Sequence, residues 1–358
     1  MNSRVATMSA RARFREGRDG LIHTTGGCRS TASLFQGHLG FNCDVLNEWA
    51  RGFQDRDDKF VKEFQTTFCS SFWELYIFAV LKHYGLSVNF SLPAPDFVVT
   101  DHGGLCIEAA VALHAQGTTP EYEKKDAPIP DDLNVFLVRA IVRLRNSIDT
   151  KGKMYASRYS TLGHVRNRPF VLAVTAVDSP YARLACQRSI EAALFGYYID
   201  EERFLRDGGE LEREHRDTIV KDNGSQIPIG IFAGDEFSWL SAVMFSSCGT
   251  WGKVRALSAD PNPNVFFEAL RLNENGINPH LVKARKSSYT ESLLDGLRVY
   301  HNPWATHPLD VSIFRHKDVF QAYYDDQRGW VYEQRDGLLL CRNVYTFLPP
   351  RNIASAAC

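Results

Sequence analysis

The stretch "PDFVVTDHGGLCIEAAVA", residues 95–112, predicts two short β-strands joined by a tight turn. Gly103 and Gly104 stand between the two apolar runs, and glycine is favoured in tight turns because it adopts positive φ without a steric cost. If the turn is centred on Gly103, Asp96 lies opposite Glu108 or the residue after it, and such cross-strand neighbours are in contact. The stretch therefore predicts a β-hairpin that holds two carboxylates face to face.

These two carboxylates indicate a metal site. Adjacent negative charges repel each other unless one carboxyl group is protonated or both bind a divalent cation. Mg²⁺ and Mn²⁺ prefer oxygen ligands and often use one or two carboxylates. Glu108 also stands between the apolar runs "LCI" and "AAVA", where an unpaired charge is costly. We therefore expect Asp96 and Glu108 to ligate a metal, with an ion pair between Glu108 and an arginine as the structural alternative.

A third acidic residue lies on the helix predicted upstream of the hairpin. Aromatic residues recur every four positions from Phe60 to Tyr76, which predicts an amphipathic helix over residues 59–84 that ends before Gly85. Within "FWELYIFAVL", residues 72–81, Glu74 is the only charged residue. Because a buried glutamate needs a partner, we expect Glu74 to reach the same metal. A hydrogen bond to the backbone or to a tyrosine hydroxyl is the alternative.

The rest of the chain alternates helix and strand patterns. Strands are predicted at residues 86–92, 168–177 and 238–247, and again in the C-terminal run that starts at residue 329. Asp131 or Asp132 is placed to cap a helix that runs toward residue 150, and Pro180 opens a helix over residues 181–197. Residues 200–225 are mostly charged, which predicts an exposed loop or lid. This order predicts an α/β fold with a mixed β-sheet core flanked by helices.

A glutamate in the first helix, Pro-Asp at the start of a strand and a glutamate on the next strand together resemble the PD-(D/E)XK, or restriction-endonuclease-like, nuclease superfamily. The match covers residues 59–177. The resemblance implies an α/β core in which these carboxylates bind Mg²⁺ or Mn²⁺ and a lysine assists attack of water on a phosphodiester. By position, Glu74, Asp96 and Glu108 match the three acidic places. Ala110 stands where the motif has its lysine.

The missing lysine has two candidates on the helix predicted after the hairpin, "NVFLVRAIVRLRNSIDTKGKMYASR", residues 134–158. In several families with this pattern the lysine has moved to that helix, and the stretch resembles uncharacterised bacterial members of the fold. Arg143, Ser147 and Lys151 share one helix face at spacings of four. Lys151 is the first candidate and Lys153 the second, although Gly152 is expected to break the helix between them. Alternatively, both are solvated lysines at a helix end.

The same stretch supplies a basic patch. The chain as a whole has a formal net charge of -1, so it has no global attraction for an anionic partner. Residues 139–168 nevertheless contain eight lysines and arginines against one acid, Asp149, and such a local excess can neutralise phosphates. We expect nucleic-acid contacts from Arg139, Arg143, Arg145, Ser147 and Arg158. No helix-turn-helix or zinc finger is recognisable, so sequence-specific reading is not predicted.

The length and composition of the chain limit its possible domain organisation. The 358 residues predict an N-terminal arm (1–45), a nuclease-like core (46–258) and a C-terminal α+β extension packed on the core (259–358). Eight scattered cysteines without a C-x-x-C pair argue against a zinc ribbon or a secreted disulfide framework, and make the cytoplasm the default location. No apolar run approaches the ~20 residues that span a bilayer, so no membrane partner is expected. The sequence leaves the oligomeric state open, a homodimer included.

The sequence is compatible with three functions. The first is a metal-dependent nuclease that hydrolyses phosphodiester bonds of nucleic acid, with DNA favoured over RNA. The second is a catalytically inactive nuclease-fold protein that binds nucleic acid or a partner protein, for which Ala110 is the reason. The third is an unrelated α/β protein whose acidic residues are structural.

Overall fold

The computed structural model describes residues 14–16, 22–24, 39–56, 58–121, 127–208, 212–273, 278–333 and 336–347. Most of the predicted N-terminal arm (1–45) lies outside this set. Of that arm, the structure describes two short paired strands and the start of a helix. The helices are α1 (Leu39–Ala50), α2 (Phe60–Thr66), α3 (Phe68–His83), α4 (Leu133–Ser157), α5 (Arg188–Phe195), α6 (Glu201–Asp207) and α7 (Trp251–Leu257).

Sixteen strands occur in the described residues. They are β1 (Phe14–Glu16), β2 (Ile22–Thr24), β3 (Phe97–Val99), β4 (Leu105–Leu113), β5 (Phe170–Val177), β6 (Tyr197–Ile199), β7 (Arg213–His215), β8 (Thr218–Val220), β9 (Gln226–Pro228), β10 (Ala242–Phe245), β11 (Val265–Leu272), β12 (Pro279–Arg285), β13 (Leu297–His301), β14 (Val319–Asp325), β15 (Gly329–Glu333) and β16 (Leu339–Thr346).

Seven strands form a mixed central sheet in the order β15-β14-β13-β10-β5-β4-β3. The strands β4, β5 and β10 run parallel to one another, whereas the outermost strands β3 and β15 are antiparallel to their neighbours. A separate antiparallel sheet has the order β12-β11-β16. The predicted α/β class with a mixed sheet is therefore confirmed. Three strands of the central sheet come from residues 259–358, so the segment predicted as an extension builds one side of that sheet.

Helices cover both faces of the central sheet. Alternate residues of a strand point to opposite faces. On β5, Val171 belongs to the apolar cluster that includes residues of α1, α2 and α3, whereas the next residue, Leu172, belongs to the cluster that includes residues of α4 and α5. A central parallel strand is apolar on both faces because both are covered, which explains the unbroken apolar run of β5. The buried strand predicted at 168–177 is confirmed as β5.

The helix predicted over residues 59–84 is two helices, α2 and α3. Thr67 separates them with φ -125° and ψ 51°, outside the helical range. The aromatic repeat continues across this break because Phe68 still contacts Phe64 and Phe72, with ring centroids 5.1 and 5.4 Å apart. Gly85 follows α3 with φ +68°, as its C-terminal position predicts. The strand predicted at 86–92 is reduced to one bridge between Val88 and Val99.

Helix α4 is longer than the sequence predicts. Asp132 caps it, since its side chain accepts a hydrogen bond from the backbone N–H of Val135 at 2.8 Å. The helix then passes through Gly152, where a break was expected, and ends at Ser157. A Cβ on Gly152 would lie only 3.2 Å from the indole of Trp239, so glycine lets this ring pack against the helix. Because α4 is continuous through Gly152, Lys151 has the position that the geometry of the helix gives it.

Two further predictions are corrected between residues 181 and 228. The helix predicted at 181–197 is a 3-10 turn, Ala182–Ala185, followed by α5, because Cys186 has φ +48° and interrupts it. The loop predicted at 200–225 contains α6, β7 and β8. Asp200 caps α6 by accepting from the N–H of Arg203 at 2.8 Å, and Ile219 of β8 is buried. Within the described residues, no helix has the length and apolarity to cross a bilayer.

A fully buried ion cluster connects the three-stranded sheet β12-β11-β16 to the rest of the fold. Glu291 Oε1 lies 2.5 Å from Lys253 Nζ and 2.6 Å from an Nη of Arg342, and all three side chains are excluded from solvent. Removing one member of such a cluster leaves the others buried and unpaired. We expect Glu291→Ala to lower the free energy of unfolding by about 3–5 kcal/mol in urea denaturation.

The exposed pair between Arg139 and Asp222, 2.9 Å apart, provides the control. Asp222→Ala is expected to change the same free energy by less than about 1 kcal/mol, because water solvates both partners. Equal effects of the two substitutions would show that the buried cluster is not stabilising the fold.

Candidate active site

The β3–β4 hairpin brings Asp96 and Glu108 together. Phe97 pairs with Ile107, so Asp96, one residue earlier, faces Glu108 across the hairpin. The backbone nitrogen of Asp96 lies 3.4 Å from Glu108 Oε2. The backbone N–H of Ala109 donates to Asp96 Oδ2 at 2.8 Å. Backbone hydrogen bonds therefore fix one carboxylate directly beside the other.

Lys151 reaches this pair from α4. Its Nζ lies 2.5 Å from Glu108 Oε1, and the Glu108 side chain is only 4% exposed. Residues 108 and 110 point to the same face of β4, the face that α4 covers. Ala110 is small and buried there. The ammonium group beside Glu108 thus comes from a residue of α4.

Tyr159 is a third partner of Glu108, and sequence reasoning missed it. It lies in the 3-10 turn after α4, its ring is buried, and its hydroxyl hydrogen-bonds to Glu108. Burial raises the pKa of Tyr159 far above its usual value, and the negative charges of Glu108 and Asp96 add to the effect. The hydroxyl therefore stays protonated and can donate to the carboxylate. No sequence motif marks this residue.

Arg56, also missed, brings a positive charge near Asp96. One of its Nη atoms donates to the carbonyls of Leu92 and Pro95 at 2.8 and 3.2 Å. The other lies 4.0 Å from Asp96 Oδ1. Arg56 belongs to the segment between α1 and α2, which carries no recognisable pattern. Its position depends on how that segment folds against residues 92–95.

Glu74, on α3, is the third acid of the site. Burial raises the pKa of Glu74 to about 8, with a further contribution from the charge of Asp96. Burial likewise raises the pKa of Asp96 to about 7, reinforced by the charge of Glu108. The three acids thus lie near enough to oppose one another's ionisation. In the described part of the chain, however, no three His, Cys, Asp or Glu side chains are arranged as a ligand set for a metal ion.

Glu74, Asp96 and Lys151 line a cleft of about 500 Å³, whereas Glu108 is not among its lining residues. Residues from α3, the hairpin and α4 meet there. Arg143, Ser147 and Lys151, predicted to share a helix face, all open onto it. The complete lining is Ser70, Trp73, Glu74, Asp96, Ala109, Ala110, Val111, Ala112, Leu113, Arg143, Asn146, Ser147, Thr150 and Lys151. The cleft therefore has one acid from α3, Glu74, one from the hairpin, Asp96, and two cations from α4.

Another cavity, of about 580 Å³, lies beside Arg271 and Asp295. It is larger than the cleft, but two of its acids, Asp295 and Glu291, are already paired with bases. Arg271 forms an ion pair with Asp295 at 2.9 Å, and Glu291 belongs to the buried ion cluster. The facing carboxylates and their lysine make the smaller cleft the better candidate.

The remaining predicted basic residues lie outside the cleft. Lys153 is exposed and is not among the residues that line the cleft. Arg139 forms its surface pair with Asp222. The guanidinium of Arg158 lies 5.7 Å from the centroid of the Tyr159 ring. None of these three side chains borders Glu108.

Arg145 was predicted to belong to the basic patch, but its side chain is not on the surface. Its side chain is 7% exposed, it pairs with Asp149 at 2.5 Å, and its Nε donates to the carbonyl of Pro228. The guanidinium also packs 4.8 Å from the centroid of the Phe237 ring. Arg145 is therefore buried inside the protein and does not belong to an exposed basic patch. Arg143 remains at the cleft, where its Nε donates to the carbonyl of Leu113 at 2.7 Å.

Comparison of the chain with protein-family models, curated proteins and solved structures found no match. Inference about function therefore depends on the residues that line the cleft and on their geometry.

The raised pKa values of Glu74 and Asp96 predict a pH dependence of stability. A carboxyl group with a raised pKa in the folded state stabilises the fold while it is protonated, and this stability is lost as the pH rises through the folded pKa. For Glu74 that value is about 8. We expect the free energy of unfolding to fall between pH 5 and pH 9. Glu74→Gln should reduce that fall by about 1–3 kcal/mol, because the amide does not ionise.

Urea denaturation at pH 5, 7 and 9 measures this effect. Asp222→Asn, which changes an exposed carboxylate, should keep the wild-type slope. The same pH slope in Glu74→Gln and in the wild type would mean that Glu74 is not buried beside the other acids.

Proposed function

We propose that the chain is a metal-dependent nuclease with a restriction-endonuclease-like core, and that it hydrolyses phosphodiester bonds of nucleic acid, with DNA as the favoured substrate. The main support is that Lys151 Nζ lies 2.5 Å from Glu108 Oε1, beside Asp96. The motif lysine missing at Ala110 then has a replacement from α4. The chain order α3, β3, β4, α4, β5 is also the order that the resemblance implies.

The donors at the hairpin fit Mg²⁺ or Mn²⁺. Asp96 and Glu108 offer only carboxylate oxygens, the ligand type that both ions prefer, and two carboxylates suffice when water fills the other positions. Their mutual repulsion contributes to the raised pKa of Asp96, so a bound cation would relieve it. A divalent cation held there would supply Lewis-acid polarisation of the phosphate and a lowered pKa for bound water. Glu74 would orient such a water from the opposite wall.

The residues of α4 would bind the substrate backbone. In the structure, Lys151 is paired with Glu108. A phosphodiester in the cleft would be a second anion that could contact Lys151 Nζ. In the reaction Lys151 would stabilise the negative charge that develops on the phosphate oxygens. Ser147 and Arg143 follow at steps of about 6 Å along the helix, where they can contact neighbouring phosphates.

Tyr159 and Arg56 would keep the two acids in position. Tyr159 donates to Glu108 from the side of α4. Arg56 approaches Asp96 from the segment between α1 and α2, and its other contacts are with backbone carbonyls. Neither residue borders the cleft, so both would act through the carboxylates and not on the substrate.

The two lysine candidates provide a matched pair of variants. Lys151→Ala is expected to lower kcat for Mg²⁺-dependent cleavage by about 100-fold or more, because it removes a cation aimed at the developing charge. Lys153→Ala should keep wild-type kcat, since Lys153 is exposed and does not line the cleft. Cleavage of supercoiled and single-stranded DNA, with RNA in parallel, gives the measurement. Loss of cleavage in Lys153→Ala with retention in Lys151→Ala would reverse the assignment.

Metal binding can be measured without activity. Titration of Mn²⁺ followed by electron paramagnetic resonance should show a site in the wild type that is lost in the double variant Asp96→Asn, Glu108→Gln, because both carboxylate ligands are then replaced by amides. Asp222→Asn, at an exposed acid, is the control. Mn²⁺ binding that persists unchanged in the double variant would place the metal elsewhere and contradict the proposal.

An inactive nuclease-fold protein is the second candidate. Two observations favour it: Ala110 at the motif position, and the lack of a three-residue metal-ligand group among the described residues. In that case Lys151 simply neutralises Glu108 and stabilises the fold. This candidate is supported if gel-shift assays show nucleic-acid binding that needs no metal, while no cleavage occurs and no Mn²⁺ site is found.

A further inference from the structure

One face of the three-stranded sheet β12-β11-β16 carries matching rows of side chains across its strands. Phe266 of β11 pairs with Arg285 of β12 and with Tyr345 of β16, and residues that pair directly point to the same face. Two more rows on this face are Lys283–Glu268–Asn343 and Leu281–Leu270–Cys341. These side chains, together with Phe347 just beyond β16, form what we call the outer face.

Large apolar side chains of the outer face are open to solvent. Tyr345 is 46% exposed and Phe347 is 59% exposed. The Phe347 ring packs on the Phe266 ring, with centroids 5.1 Å apart, so the aromatic surface is continuous from β11 to the end of β16. The opposite face of the sheet is buried, because Phe267 and Ala269 of β11 belong to an apolar core cluster. Exposed apolar side chains that are contiguous on adjacent strands mark an interaction surface.

Cations accompany these rings. The guanidinium of Arg285 lies 5.1 Å from the centroid of the Phe266 ring, and no carboxylate of the described residues pairs with it. Lys283, on the same strand, lies 3.5 Å from Glu268, and both side chains reach solvent. Two cations against one acid give the outer face a positive charge, which favours an anionic partner.

A short segment links the outer face to the edge of the central sheet at which Leu113 lines the cleft. Leu113 pairs with Val177 at the ends of the parallel strands β4 and β5. After β5 the chain enters the turn Ala182–Ala185, where Arg183 Nε donates to Asn343 Oδ1 at 2.5 Å. A hydrogen bond thus attaches the outer face to the segment that leaves this edge of the central sheet.

We propose that the outer face binds single-stranded nucleic acid, with bases stacked on Tyr345 and Phe347 and phosphates held by Arg285 and Lys283. Aromatic rings stack on bases of any sequence, and cations beside the rings follow the backbone of the strand. In a duplex the bases are already stacked on one another, so a duplex does not present them to these rings. The choice of a nucleic acid as partner rests on the proposed function; the inference adds that the bound strand is single.

Stacking is tested by fluorescence anisotropy on the full chain, with a labelled oligothymidine and a labelled duplex as probes. EDTA is present, so that binding is measured without cleavage. Tyr345→Ala and Phe347→Ala are each expected to raise the Kd for oligothymidine by about 5- to 100-fold, because each removes one stacking ring. Tyr324→Ala is the matched control: this tyrosine is 52% exposed but lies on β14, so the wild-type Kd should be kept.

Arg285→Ala tests the phosphate contact. It should weaken oligothymidine binding and lower the slope of log Kd against log salt concentration by about 0.7, the contribution of one phosphate contact on a single strand. Arg328→Ala, at an exposed arginine that pairs with Asp325, should leave both the Kd and the slope unchanged.

The outcomes separate this inference from the proposed nuclease activity. An unchanged Kd in both Tyr345→Ala and Phe347→Ala would overturn the inference even if the wild type cleaves nucleic acid, and so would equal losses for the duplex and the single strand. A homodimer that dissociates in Tyr345→Ala, in a chain that binds no oligothymidine, would overturn it and assign the outer face to a second copy. Oligothymidine binding that depends on these rings, without any metal-dependent cleavage, would support the inference and contradict the nuclease.

Discussion

The ion pair between Lys151 and Glu108 is the contact on which the candidate site depends. Glu108 lies on β4, which is flanked by strands on both sides and covered by helices on both faces. A carboxylate in such a place is stable only with partners, and here they are an ammonium group and a tyrosine hydroxyl. Both partners come from α4 and the turn that follows it. The pair thus joins the chemistry of the hairpin to α4, which packs on the same face of the sheet.

Few cations lie near the acids of the candidate site to compensate their negative charge. Burial and mutual repulsion raise the pKa values of Glu74 and Asp96, while Arg56 and Lys151 partly offset the repulsion. Such an arrangement is costly for the fold, and raised pKa values of this kind cluster at functional sites in proteins. The buried ion cluster around Glu291 differs because its one carboxylate is paired with two cations. This contrast favours the cleft as the place of function.

Several features of the fold were readable from sequence because they depend on local periodicity or turn chemistry. The hairpin around Gly103, the apolar strand β5 and the Asp132 cap are of this kind. Others were not readable, because tertiary contacts override local preference. Gly152 lies inside α4, where Trp239 packs against it, and Cys186 divides the predicted helix 181–197 by its φ of +48°. Nor could spacing reveal that β13, β14 and β15 extend the central sheet.

For the site, the sequence alone determined that Asp96 and Glu108 face each other, because a tight turn and the two-residue repeat of strands leave little choice of register. It also determined that Arg143, Ser147 and Lys151 share one helix face, because the spacing of four is a property of the helix itself. Only the tertiary structure decided that this face meets β4, that Lys151 and not Lys153 contacts Glu108, and that Arg145 is buried. It likewise brought Tyr159 and Arg56 to the acids. Helix-to-sheet packing sets these contacts. Residues that are distant in the chain and pack on one another show no periodic pattern in the sequence, so the sequence alone does not predict them.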